Sequence, residues 1–215
     1  MSDTNREQHL KRIMTLETRI AGCKRCISQN RCYSKPSLGK GDLKPEILMV
    51  FQSEGNRHKE MKNYIEIRQM LKKELAQNKI YHTFMVRCQP NHCWRIDDME
   101  GIVVRNSDDY ETQCRFKEPV CEGIPIMPAE TEIISCLPYL LEEIDILAPN
   151  TIIMFGKRTA RFGLKAVGIL EEPSIPGFYL NNNRRIFTTV EENNFTIEDA
   201  KKLAGFITTR QADLA

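Results

Sequence analysis

The 215-residue chain has no apolar run near the roughly 20 residues that a membrane-spanning helix requires. Its opening, MSDTNREQHLKR, also lacks the apolar stretch of a secretory signal. These absences lead to the expectation of a soluble protein, cytoplasmic or otherwise intracellular, with no membrane partner. A nucleotide-binding P-loop is missing too: Gly156-Lys157-Arg158-Thr159 is not preceded by the residues that complete GxxxxGK[ST]. Strong net charge is absent, at +2 overall, but the balance is uneven along the chain. Residues 92–130 hold nine acids against four bases, a net of −5, which leaves +7 on the rest. A basic face able to meet a polyanion is therefore expected outside that segment.

With 41% hydrophobic residues, the length suits one substantial core. A single domain over 1–215 is the expectation, interrupted by an irregular acidic insertion at about 90–130. That stretch shows little periodicity and contains Pro90, Gly101, Pro119, Gly123, Pro125 and Pro128. Elsewhere the pattern is clear. Residues 5–21 predict an amphipathic helix with Leu10, Ile13, Met14, Glu17 and Ile20 at helical spacings, ended by Gly22. The run Ile47 to Phe51 predicts a buried strand. Residues 60–77 predict a helix with Met61, Tyr64, Met70, Leu71 and Leu75 inward, followed by a strand from Ile80 to Val86.

A helix over 130–147, with Pro138 as a bend, precedes a third buried strand from Thr151. The remainder predicts a helix near Thr159, a turn at NNNRR between extended stretches and a closing helix over about 196–207. Alternating strands and helices of this kind specify an α/β fold: three layers, α/β/α, around a mainly parallel sheet. Its ligand crevice belongs at the carboxyl ends of the strands, at Gln52, Arg87 to Cys88, and Gly156.

Eight cysteines in a reducing interior are better used for ligation than for disulfides. Cys23 and Cys26 form a CxxC, which by itself fits a redox dithiol, half a zinc site or half a cluster site. In the acidic insertion, Cys93, Cys114 and Cys121, with His92 as a fourth donor, are candidates for a second site, an additional zinc that would cross-link a segment poor in apolar residues. The alternative is free or buried thiols.

Several motifs in a common order resemble the uracil-DNA glycosylase superfamily, specifically its iron–sulfur branch. They are CKRCISQNR, then GKG at Gly39 to Gly41, then the strand ILMVF leading into QSEG. TFMVRCQP, EIISCLPYL and PNTIIMFGKRTA follow. The resemblance covers about residues 16 to 165, with the insertion as an interruption. It implies a [4Fe–4S] cluster on Cys23, Cys26, Cys88 and Cys136, with zinc at the same four positions as an alternative. It also implies DNA as partner, single-stranded or locally opened, in a repair, replication or phage-related setting.

The chain departs from the family where the chemistry lies. Gln52 stands where an acidic group positions water, and Phe84 follows Thr83 where an asparagine reads the pyrimidine edge. The terminal segment reads FTTVEEN in place of an HP-containing motif and has no histidine. Gln52, Phe84 and Glu191 are accordingly the expected pocket residues. Loss of ordinary uracil excision is expected, leaving an iron–sulfur DNA-binding protein. One alternative is a DNA base glycosylase or related hydrolase, acting on a different or modified base. Another is a structural or regulatory protein that meets a protein partner through the acidic insertion. Lys35, Lys40, Lys157, Arg158, Arg161, Arg184 and Arg185 are the candidate nucleic-acid contacts. The discriminating feature is the strand-end crevice: open and polar around Gln52, or filled by Phe84 and the insertion.

Overall fold

The computed structural model describes residues 3–26, 32–33, 35–54, 60–92 and 124–212. In chain order the elements are α1 (Asp3–Ala21), β1 (Cys32–Tyr33), β2 (Lys40–Gly41), β3 (Ile47–Ser53), α2 (Glu60–Glu74), β4 (Ile80–Val86) and β5 (Pro90–His92). They continue with β6 (Ile124–Pro125), α3 (Glu130–Leu147), β7 (Thr151–Phe155), α4 (Lys157–Ala166), β8 (Gly177–Asn181), β9 (Arg184–Thr189) and α5 (Ile197–Ala212). A six-stranded sheet has the order β2-β4-β3-β7-β9-β8. Its four inner strands are mutually parallel, and the edge strands β2 and β8 run antiparallel to their neighbours.

The inner strands read as unbroken apolar runs because helices cover both faces of the sheet. Strand periodicity of two then assigns each side chain to a layer. Leu48, Val50, Tyr81, Met85, Ile152 and Met154 belong to the core beneath α1, α3 and α4. Ile47, Met49, Phe51, Phe84, Ile153 and Phe155 belong to the opposite core, beneath α2 and α5. Each fully buried aliphatic or aromatic side chain contributes ~1.5–3 kcal/mol relative to exposure, so two such layers hold the sheet without any cross-link. This is the expected mixed α/β fold with a mostly parallel central sheet.

Details of the helices differ from the periodic reading. On α1 the buried seam is Ile13, Leu16 and Ile20, while Leu10 and Met14 face outward. Pro138 lies within α3 without ending it. Its ring sits on the exposed face, where water can take the carbonyl of Ile134 that the missing N–H leaves unpaired. Glu132 secures the start of α3 by accepting a hydrogen bond from the Ala129 N–H at 2.6 Å. Thr196 and Asp199 do the same for α5: the Asp199 N–H donates to Thr196 Oγ1 at 3.3 Å and Thr196 N–H to Asp199 Oδ2 at 2.9 Å, a reciprocal cap. Those bonds from Thr196 hold the Asp199 carboxyl below its usual range.

The two ends of the acidic insertion are joined: Asn91 pairs with Pro125 and His92 with Ile124 in a small antiparallel sheet that also includes β1. Residues 93–123 lie outside the described part. So do Cys93, Cys114 and Cys121, and with them the second metal site and the partner-binding role expected there.

Candidate active site

The carboxyl ends of β3, β4, β7 and β9 converge on a pocket of about 210 Å³. Gln52 and Ser53 come from the end of β3, Gln89 follows β4, Phe155 and Gly156 end β7, and Glu191, Glu192 and Asn193 follow β9. Ile126, Met127 and Pro128 form the remaining wall. The crevice is open and polar around Gln52. Of the three expected pocket residues, the fold brings Gln52 and Glu191 together. Phe84 does not join them: it is 1% exposed and packs among Phe51, Tyr64 and His82 in the core beneath α2. Thr83 and Phe84 are consecutive on a strand, so they face opposite layers, and Phe84 took the apolar one.

Two polar side chains organise the walls. Gln89 is buried and its amide is saturated: Oε1 accepts from Ser53 Oγ at 2.8 Å, and Nε2 donates to the carbonyls of Pro90 and Ile126, both at 2.8 Å. It braces the ends of β3 and β4 against the 126–128 wall. Arg158 holds the same wall from α4, donating to the Pro128 carbonyl at 2.6 Å. Among the described residues Gln52 by contrast directs its Nε2 at the Met127 sulfur, 3.3 Å away, a weak acceptor that a ligand carbonyl would outcompete. Ser53, Gln89 and Asn193 fall within QSEG, TFMVRCQP and FTTVEEN without being singled out there, and no motif marked Met127; the rule that ligands sit at strand ends pointed toward them.

Gly156 is required where it stands. Its φ of 85° belongs to glycine, and a Cβ there would lie 2.7 Å from Glu191 Cγ. The missing side chain lets the segment after β9 close over the end of β7 and brings the Glu191 carboxylate to the pocket.

The expected basic face is divided by the topology. Lys157 and Arg158 open α4 directly after the pocket residue Gly156, and the helix amino end favours anions there. Arg161 is one turn further and pairs with Glu172 at 3.6 Å. Lys35 precedes Ser37, whose N–H donates to the Arg87 carbonyl at 2.6 Å beside the end of β4. Lys40, opposite His82, and Arg184 and Arg185, at the start of β9, lie toward the other end of the sheet. Arg185 is in register with Thr151, four residues before Phe155 on β7, which at ~3.3 Å per residue separates it from the pocket end by ~13 Å. Arg184 is also engaged with Asp145 at 3.3 Å.

A second polar assembly lies beneath α3, away from the pocket. Arg87 and Glu143, both almost fully buried, are paired at 2.5 Å. Thr83 Oγ1 donates to Glu143 Oε2 at 2.5 Å, and the Tyr81 hydroxyl donates to Oε1 at 3.1 Å. Burial opposes the charge on Arg87, but the Glu143 carboxylate more than offsets it and holds the guanidinium above its usual pKa. Burial also pushes the Tyr81 hydroxyl well up.

The cysteines do not form the expected ligand set. Among the described residues, no group of three or more His, Cys, Asp or Glu side chains is arranged to hold a metal ion. That finding overturns the [4Fe–4S] cluster on Cys23, Cys26, Cys88 and Cys136, the zinc alternative at those positions and the iron–sulfur reading of the protein. Burial, followed by the neighbouring Cys136, Cys23 and Glu132, pushes Cys26 up to about 11, and burial raises Cys136 as well. Cys136 Sγ instead accepts the Arg87 N–H at 3.2 Å, and Cys26 Sγ donates to the Glu132 carbonyl at 3.9 Å.

A pocket at the carboxyl ends of a central parallel sheet is where open α/β proteins bind their ligands. Residues 39–203, well over half of the chain, match the uracil DNA glycosylase superfamily, and the protein belongs to it. Among characterised relatives, it is similar to the Type-4 uracil-DNA glycosylase of Sulfurisphaera tokodaii, 25% identical over 162 residues. The match takes in 71% of this chain and 58% of that relative. Among the described residues no helix is long and apolar enough to cross a membrane.

Proposed function

We propose that this protein takes one base of single-stranded or locally opened DNA out of the stack, holds it in the strand-end pocket and hydrolyses its N-glycosidic bond. The observation that supports this most is the pocket itself, open where the superfamily binds its base and furnished with both an amide and a carboxylate. A volume of about 210 Å³ is below the ~300 Å³ at which sites for larger, drug-sized ligands begin, and suits a single base. The Gln52 carboxamide offers a donor and an acceptor to the base edge or to water. Glu191 is the group able to orient the attacking water and accept its proton. Lys157 and the amino end of α4 supply a phosphate contact beside the mouth, with Arg158 bracing the wall. The absence of histidine after β9 favours a base other than uracil.

The test is base release from single-stranded oligonucleotides, each carrying one modified base or uracil, with free base and abasic sites both measured. Release from a non-uracil substrate is expected, falling by ~10²–10³ in Glu191→Gln, the range for removal of one electrostatic group at a reacting centre. Thermal stability should stay within about 0.5 kcal/mol, because Glu191 is exposed. No release from any substrate, with no salt-sensitive binding of single-stranded DNA, would sink the proposal.

A further inference from the structure

The thioether of methionine accepts hydrogen bonds weakly and is oxidised readily where solvent reaches it. Among the described methionines, Met49, Met85 and Met154 are fully buried, whereas Met14 and Met127 are 56% and 61% exposed. Met14 lies on the outer face of α1, a helix that takes no part in the pocket. Met127 stands in the pocket wall, and the residues on either side of it are tied down. Gln89 Nε2 donates to the Ile126 carbonyl at 2.8 Å, and Arg158 donates to the Pro128 carbonyl at 2.6 Å. The backbone is therefore held while the unbranched side chain stays open to solvent, its Sδ 3.3 Å from Gln52 Nε2. As long as the acceptor is sulfur, this contact yields to an entering base.

We infer that Met127 is a site of reversible oxidation by peroxide, and that its sulfoxide locks the Gln52 amide and closes the pocket. The inference concerns the pocket of the base-excision reading but rests on the Met127–Gln52 contact, not on the reaction. In the step, a sulfur lone pair attacks one oxygen of hydrogen peroxide, the O–O bond breaks and an S–O bond forms. The thioether is oxidised and the peroxide reduced; the departing hydroxide takes the proton of the transferred hydroxyl and leaves as water. The product carries a strong acceptor, the sulfoxide oxygen, on the sulfur that already faces Gln52. The Gln52 N–H then donates to oxygen, and an entering base must break that bond. Lys157, Arg158 and the amino end of α4 lie beside the same wall, and their positive charge favours the negative end of the S–O dipole there. Methionine sulfoxide reductases restore the thioether.

The experiment treats isotope-labelled protein and its Met127→Leu variant with hydrogen peroxide side by side and locates the added oxygen by peptide mass mapping. Met127 and Met14 should be oxidised well before Met49, Met85 and Met154, and Met14, present in both proteins, is the internal control. The nuclear magnetic resonance signal of the Gln52 side-chain amide is assigned by its absence in Gln52→Ala. It should shift downfield in the oxidised parent, return after treatment with methionine sulfoxide reductases and stay in place in the treated Met127→Leu variant. An unmoved signal in protein oxidised at Met127, or the same shift in the treated variant, overturns the inference. Base release by the parent should fall by ~3–10-fold on oxidation, the worth of one net hydrogen bond, with no such fall in the variant. An unchanged rate in fully oxidised parent also overturns the inference and leaves base excision standing. Absence of release from the untreated protein removes the base-excision reading instead, and the Gln52 signal then decides the inference alone.

Discussion

The pocket at the strand ends and the Arg87–Glu143 assembly use the same kinds of residue in opposite ways. Beneath α3 the carboxylate of Glu143 is 2% exposed and receives hydrogen bonds from Arg87, Thr83 and Tyr81. At the pocket Glu191 stands exposed beside Gly156, and among the described residues the Gln52 amide meets a thioether. A carboxylate whose lone pairs are consumed by its own protein joins the strand end to a helix; one left facing a cavity is available for a ligand. Burial, and the saturation of the carboxylate, more than residue type separate structural polarity from functional polarity here, although Arg87 Nε and Nη1 stay buried without a hydrogen-bond partner.

The largest expected effect tests the structural half of that comparison. Glu143→Gln leaves the Arg87 charge buried without its counter-charge and should lower the unfolding free energy by ~3–5 kcal/mol in a denaturant titration. Replacing both partners together, as Arg87→Met with Glu143→Leu, should recover most of that loss, because no charge is then stranded. A double variant as unstable as the single one would show that the pair stabilises through more than mutual neutralisation.

Gly156→Ala tests the pocket half. The backbone conformation at this position is one that L-residues adopt at a cost of roughly 1–3 kcal/mol, and the added methyl group meets Glu191. Base release should suffer more than stability, since Glu191 must move aside. Equal activity in the variant and the parent would remove Glu191 from its assigned place.

The smallest effect concerns His82, a buried polar residue that belongs to neither region. Burial, then the nearby Arg68 and Lys40, lower its pKa to about 4 from an ordinary value of 6.5. The unfolded chain therefore binds a proton that the folded one refuses across that interval, so stability falls as pH drops from about 6.5 toward about 4. At about pH 5.5 the loss should be on the order of 1 kcal/mol and should be absent in His82→Leu, which keeps an apolar group between Phe51 and Phe84. The same dependence on pH in parent and variant would remove His82 as the source of the acid sensitivity.

Sequence alone was enough for the elements and the layer architecture. The strand Ile80 to Val86 and the helix 130–147 have the bounds expected of them, because apolar periodicity and breaker residues act locally, within a few turns or pleats of the chain. The rule placing ligands at strand ends likewise reached Gln52 and Gly156 before any neighbour was known. What only the tertiary structure decided is which residues meet. Motif order assigned Phe84 to the pocket, but the pleat turned it into the opposite core. The family resemblance implied a cysteine ligand set, but among the described residues no group of side chains is arranged to hold a metal ion. Arg184 and Arg185 were grouped with Lys157 as nucleic-acid contacts, but parallel register put them at the far end of β9. Each of these depends on strand order, register and facing, which are set by contacts between segments distant in sequence and leave no local trace in it.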